Sequence, residues 1–181
     1  LKLLNAKGEF VSAEDGAQIL AYVDQDDYNF AEVDDLGSYE TFDYAIDLHI
    51  DKILALPLVN VEAIQKKNFK VAIDAVNSTG GIAIPKLLER LNVVHYDMYC
   101  EPNGQFPHNP EPLKEHLGDI CAKVIAEKAD FGIVVDPDVD RLAIIDEKGE
   151  MFGEEYTLVA VADYVLSKTP SATVSNLSSS R

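Results

Sequence analysis

The chain has 181 residues, 47% hydrophobic and 26% charged, the composition of an ordinary soluble globular protein. Its 15 Lys and Arg against 32 Asp and Glu leave a formal charge of −17, which makes the nucleic-acid backbone and anionic membranes poor partners. No apolar run approaches the roughly 20 residues of a membrane helix and no secretory leader is legible, so a cytoplasmic location is expected.

Along the chain, Leu1 to Leu4 reads as a short strand. It leads through Lys7-Gly8 to Ser12, a candidate N-cap with Asp15 three positions on, and a helix is expected through Gln18 to Val23. An acidic stretch with no clear period follows, and the clusters from Asp24 to Asp35 and Asp43 to Asp51 read as solvated surface. Helical spacing returns between Tyr44 and Leu56 at Ile46, Ile50, Ile53 and Leu54, is broken by Pro57, and a short helix is expected over Val61 to Lys67.

From Phe69 the pattern alternates. Lys70 to Val76 reads as a buried strand, Asn77-Ser-Thr-Gly-Gly as a loop, and Ile82 to Leu91 as a helix. Asn92 to Met98 is the next strand, followed by a loop rich in turn formers from Glu101 to Pro110 and a helix from Pro112 to Lys128. Two apolar strands flank an acidic loop, then come a turn at Gly149 and a helix from Glu154 to Leu166. The expected class is α/β, a three-layer α/β/α domain with a mixed, mainly parallel sheet, accompanied by partial flanking domains. Both ends read as interrupted: the chain opens inside a strand without methionine, and Ala172 to Ser175 looks like a new strand barely begun. It is therefore expected to be part of a longer protein.

Cys100 and Cys121 lack CxxC spacing or a histidine cluster, so they read as reduced thiols. Of the four histidines only His108 has a suggestive setting. Asn77 to Gly81 could offer backbone N–H groups to an anion, or could simply be a tight turn that needs small residues; it lacks the lysine and spacing of a P-loop.

The most informative stretch is Asp136-Pro-Asp-Val-Asp-Arg141, set between Phe131-Gly-Ile-Val-Val and Leu142-Ala-Ile-Ile. Three carboxylates on one tight loop repel unless a cation neutralises them, and hard oxygen ligands select Mg²⁺, Ca²⁺ or Mn²⁺. Arg141 beside them suits a phosphate, which a guanidinium holds bidentately. An EF-hand fits poorly, because Arg141 occupies the position where that loop needs glycine and the flanks are strand-like.

The run Ala129-Asp-Phe-Gly-Ile-Val-Val-Asp-Pro-Asp-Val-Asp-Arg-Leu142 resembles the metal-binding loop of the α-D-phosphohexomutases, the phosphoglucomutase/phosphomannomutase superfamily. The family pattern is Asp-Gly-Asp-x-Asp-Arg, with Pro137 in place of its glycine. Asn103-Gly-Gln-Phe-Pro-His-Asn-Pro-Glu-Pro112 resembles the family's Gly-x-Phe-Pro segment, and Asp74-Ala-Val-Asn-Ser-Thr-Gly-Gly81 the first strand and loop of its second domain. The resemblance implies that residues 1–67 end a first domain, 68–168 form the second and 169–181 begin a third. It implies Mg²⁺ on Asp136, Asp138 and Asp140, with Arg141 on the phosphate of a catalytic serine. Lys2 would be the lysine near that phosphoserine, for proton transfer or charge neutralisation. The implied activity interconverts hexose 1-phosphate and hexose 6-phosphate through a phosphoserine and a bisphosphate. The family's Ser-His-Asn-Pro motif is missing from the chain, because His108-Asn109-Pro110 follows a proline, so the chain by itself is expected to be inactive. The alternatives are a non-catalytic Ca²⁺- or Mg²⁺-binding module and, less well matched, a hydrolase with an aspartate nucleophile.

Overall fold

The computed structural model of the chain describes residues 2–174. The chain folds as two units, Leu1–Phe42 and Asp43–Arg181.

In the first unit, helix α1 (Ala13–Asp24) begins at the expected cap. Asp15 N donates to Ser12 Oγ at 3.1 Å and Ser12 N donates back to Asp15 Oδ2 at 3.3 Å, so two orphan N–H groups are satisfied reciprocally. The strand expected at Leu1 to Leu4 is absent among the described residues. Leu4 instead makes an isolated antiparallel bridge with Phe10 across the Gly8 turn, where φ is +79°. One bridge with both side chains exposed, Leu4 at 58% and Phe10 at 69%, supplies neither a ladder nor a buried face. No described residue of 2–42 is buried.

The second unit holds the core. Helices α2 (Ala45–Leu54) and α3 (Val61–Lys67) fall where the periodicity predicts, with Asn60 capping α3 by accepting from Ala63 N at 3.0 Å. Strands β1 (Lys70–Asp74), β2 (Val94–Met98), β3 (Phe131–Val135) and β4 (Leu142–Ile145) form one sheet in the order β2-β1-β3-β4. β1 pairs parallel with both β2 and β3, whereas β4 returns antiparallel to β3, so the sheet is mixed and mainly parallel.

Side-chain alternation sorts the two faces. Val71 and Ile73 pack with Leu88, Leu91 and Val93 beneath α4 (Gly80–Arg90), joined by Leu54, Val61 and Ile64 of α2 and α3. On the other face Ala72, Val134, Ala143 and Ile145 meet Ile120 and Val124 of α5 (Gly118–Glu127) and Leu117 at its N-cap. Both faces are thus covered, as parallel strands require, and each fully buried Val or Ile contributes about 1.5–3 kcal/mol. The result is the expected α/β/α layering. α6 (Glu154–Lys168) packs against β4 and leaves Leu158, Val159 and Val161 exposed.

α5 starts later than the expected Pro112. Leu113 is extended (φ −87°, ψ 147°) and only a short 3₁₀ turn, Lys114–His116, precedes the helix. The expected strand over Ala172 to Ser175 is not formed at Ala172 to Val174, and Ser175 lies outside the described residues. Among the described residues no helix is long and apolar enough to cross a membrane.

This topology fixes the position of the site. The chain leaves β1 toward β2 on one side and returns to β3 on the other, so the loops after β1 and β3 open a crevice at the carboxyl ends of the strands. Both loops carry the motifs read from sequence.

Candidate metal centre

Asp136 directly follows the last residue of β3 and is buried at 6% exposure, while Asp138 and Asp140 are exposed. One carboxylate oxygen from each lies within 4.8 Å of the others. Two charges at that separation repel by about 1 kcal/mol in bulk water and several times that near a protein surface. The loop curls around Asp136. Its Oδ1 accepts the backbone N–H groups of Asp140 and Arg141, both at 3.1 Å, and its backbone carbonyl accepts from Val139 N at 3.2 Å. Val139 pays for this curl with a left-handed φ of +60°, a strained value for a β-branched residue.

The donor set fits a hard divalent cation: three carboxylate oxygens, no thiolate or imidazole among them, make half the oxygen shell of an octahedral Mg²⁺. The flanks settle the EF-hand question. Val135 pairs with Leu142 in an antiparallel hairpin, whereas an EF-hand needs helices on both sides.

Arg141 lies at the edge of this cluster. Its Nη1 donates to Glu111 Oε1 at 2.8 Å and its Nε stands 3.9 Å from Asp136 Oδ2. The Glu111 hydrogen bond and charge, followed by Asp136 and Asp140, raise the guanidinium pKa further above its usual value. The side chain remains half exposed, and an open groove of about 420 Å³ runs beside Asp140 and Arg141 against Thr157, Leu158 and Val161 of α6. Glu111 was not singled out in the sequence; it is the glutamate of the Pro-Glu-Pro run that ends the turn-rich loop.

The same loop is tied to β1. Asp74, 1% exposed at the end of that strand, lies 2.9 Å through Oδ2 from His108 Nε2 and accepts Val76 N through Oδ1 at 3.0 Å. The His108 ring packs edge-on against Tyr99, whose hydroxyl donates to Asp119 at 2.8 Å; that bond, then burial, raises the Tyr99 pKa. The sequence did not reveal this pair; a carboxylate closing an apolar strand is the signal that could have pointed to it, and His108 is its partner.

Asn77 links the loops. Its N donates to Tyr99 O at 2.6 Å, its Nδ2 to Gln105 O at 3.0 Å, and its carbonyl accepts from Gly104 N at 2.9 Å. Next to it, Ser78 Oγ and Thr79 Oγ1 each donate to the Pro137 carbonyl at 2.8 Å. The three motifs read separately in the sequence are therefore joined by hydrogen bonds. Lys2 belongs to the first unit and the aspartates to the second. Cys100 and Cys121 are free, and burial raises both thiol pKa values, that of Cys100 to about 12.

Comparison with known proteins identifies the family. Residues 47–149 match the family model described as phosphoglucomutase/phosphomannomutase, alpha/beta/alpha domain II. A phosphoglucomutase/phosphomannomutase of Thermococcus kodakarensis is 34% identical over 167 residues, which cover 92% of this chain and 36% of that protein. A phosphomannomutase/phosphoglucomutase of Pseudomonas aeruginosa is 38% identical over 110 residues, covering 60% of this chain and 24% of the relative. The crystal structure of a phosphoglucomutase/phosphomannomutase family protein from Burkholderia thailandensis superposes with a TM-score of 0.69 at 25% identity, covering 90% of this chain and 33% of that one. The chain belongs to the phosphoglucomutase/phosphomannomutase family and contains its α/β/α domain II. It spans about a third or less of the length of these relatives.

Proposed function

We infer that the chain is the metal-bearing part of a phosphohexomutase that interconverts hexose 1-phosphate and hexose 6-phosphate through a phosphoserine and a bisphosphate intermediate. On this reading residues 1–67 close a first domain, 68–168 are the second and 169–181 open a third. The supporting observation is the convergence of Asp136, Asp138 and Asp140 within 4.8 Å at the carboxyl end of β3 in a mainly parallel sheet. These three residues hold Mg²⁺, which when bound offsets the charge gathered on the phosphoryl oxygens.

Every other role falls to side chains. Arg141 keeps its charge at any physiological pH and presents a planar fork to a phosphate from the edge of the carboxylate cluster. Glu111 holds that fork by one nitrogen, which limits its rotation before substrate arrives. Asp74 and His108 fasten the turn-rich loop that carries Glu111 to the end of β1. Lys2 would neutralise phosphate charge or move a proton at the reacting hydroxyl. The substrate is a hexose phosphate, the location is cytoplasmic, and the chain alone is inactive because it carries no Ser-His-Asn-Pro nucleophile.

The test is Asp138→Asn in a polypeptide of the relatives' length that includes this chain. Conversion of glucose 1-phosphate and of mannose 1-phosphate is followed by phosphorus NMR. Loss of most turnover with an unchanged circular dichroism spectrum is expected. Turnover equal to wild type would remove the metal assignment.

A further inference from the structure

Thr79 occupies the N-cap of α4, a position where a threonine oxygen ordinarily accepts a backbone N–H of the first turn, yet its side chain makes no capping bond. The hydroxyl is directed at the Pro137 carbonyl, as is that of Ser78 beside it, both at 2.8 Å and across 58 and 59 residues of sequence. Pro137 has no N–H, so its carbonyl is the only backbone group it can offer, and two donors match the two lone pairs of that oxygen.

The consequence follows from where Pro137 sits. It separates Asp136 from Asp138. Asp136 is fixed within the loop by the N–H groups of Asp140 and Arg141. Fixing the Pro137 carbonyl sets the plane of the peptide that leads into Asp138, at the exposed tip of the loop. The hydroxyl donors are themselves placed by Asn77, whose three hydrogen bonds reach Tyr99, Gly104 and Gln105.

The geometry points to Ser78 and Thr79 as positioning residues that clamp the Pro137 carbonyl and thereby pre-organise the three metal-binding aspartates. This rests on the metal reading above. Without the clamp the loop tip has to be ordered when the ion binds, and that entropy cost appears as lost affinity and not as lost fold. Pro137 is half-buried, with the Thr79 bond on the exposed side and the Ser78 bond part-buried, so water can take the place of the Thr79 hydroxyl.

The experiment titrates Mn²⁺ into the full chain and counts free ion by electron paramagnetic resonance, alongside a thermal melt by circular dichroism. Ser78→Ala with Thr79→Val removes both hydroxyls at nearly constant volume. It should weaken Mn²⁺ binding about tenfold, equivalent to about 1.4 kcal/mol and within the net range of two neutral hydrogen bonds, while the melt shifts little. Ser78→Thr with Thr79→Ser keeps both donors and should bind like wild type. If the double deletion fails to melt cooperatively, the single variants carry the comparison, each about threefold weaker. Wild-type affinity in the deletions, with binding lost in Asp138→Asn, overturns the clamp and leaves the metal reading standing. Wild-type affinity in Asp138→Asn overturns both.

Discussion

Gly81→Ala sets two physical effects against each other. In a helix interior alanine is better than glycine by about 0.8–1.0 kcal/mol, and Gly81 lies in the first turn of α4. A Cβ at that position, however, would stand 2.2 Å from the carbonyl oxygen of Cys100, 2.6 Å from its carbonyl carbon and 2.7 Å from its Cα. All three are backbone atoms, so no rotamer change clears them. To reach ordinary contact near 3.5 Å, the start of α4 or the chain at Cys100 has to move by about 1 Å. Overpacking of this kind costs about 1–3 kcal/mol, and a backbone contact belongs at the upper end. Net of the helix gain, a loss of about 2 kcal/mol is expected, or a melting point lower by about 4–8 °C for a protein of this size. Gly80→Ala is the internal control. Its Cβ meets one methyl of the buried Val135 at 2.5 Å and the Ala75 Cβ at 3.3 Å, side-chain atoms only, so the core rather than the backbone has to give and its loss should be smaller. Urea unfolding followed by far-ultraviolet circular dichroism measures both. A Gly81→Ala variant as stable as wild type, or more so, would show that helix propensity wins and that α4 does not approach Cys100 as described.

Two further outcomes are expected. Burial, and then the charges of Asp97 and Asp74, raise the Cys100 pKa from 9.0 to about 12. The folded state therefore keeps this proton after the unfolded chain has lost it, and stability from this group is full below pH 9 and declines as pH rises toward 12. Cys100→Ala should flatten that alkaline decline in urea titrations; identical slopes for the two proteins would contradict it. At the metal loop, Val139→Asn should relieve part of the roughly 1–3 kcal/mol stored at φ +60°, because asparagine tolerates that region. A rise of about 1 kcal/mol in unfolding free energy is the expected reading, and a fall would show that Val139 is held there by packing.

Much of the second unit was legible because its signals are local. Val71 to Ile73 and Phe131 to Val135 are apolar runs of strand length, and the spacing of Ile46, Ile50 and Ile53 has a helical period. The aspartate loop announced itself by charge alone. What the sequence concealed is long-range. The small residues from Asn77 to Gly81 allowed either an anion site or a tight turn. Nothing nearby indicates that Ser78 and Thr79 reach Pro137, or that Gly81 lies against Cys100. Glu111 could be read as one more surface acid until its partner Arg141, thirty positions away, was placed. The late start of α5 was hidden because Leu113 is apolar in either state, and only its extended backbone separates it from the helix. The strand expected at the N-terminus failed for the opposite reason: an apolar run was present, but no described residue there finds a core.

The most direct measurement is calorimetric titration of Mg²⁺ and Mn²⁺ into the full chain, wild type against Asp136→Ala, Asp138→Ala and Asp140→Ala, with Ca²⁺ as the competitor. Weak binding of Mg²⁺ or Mn²⁺ that disappears with any one aspartate is the predicted result, because three carboxylates supply only part of the ion's shell. Binding that survives all three substitutions, or tight binding selective for Ca²⁺, would contradict it.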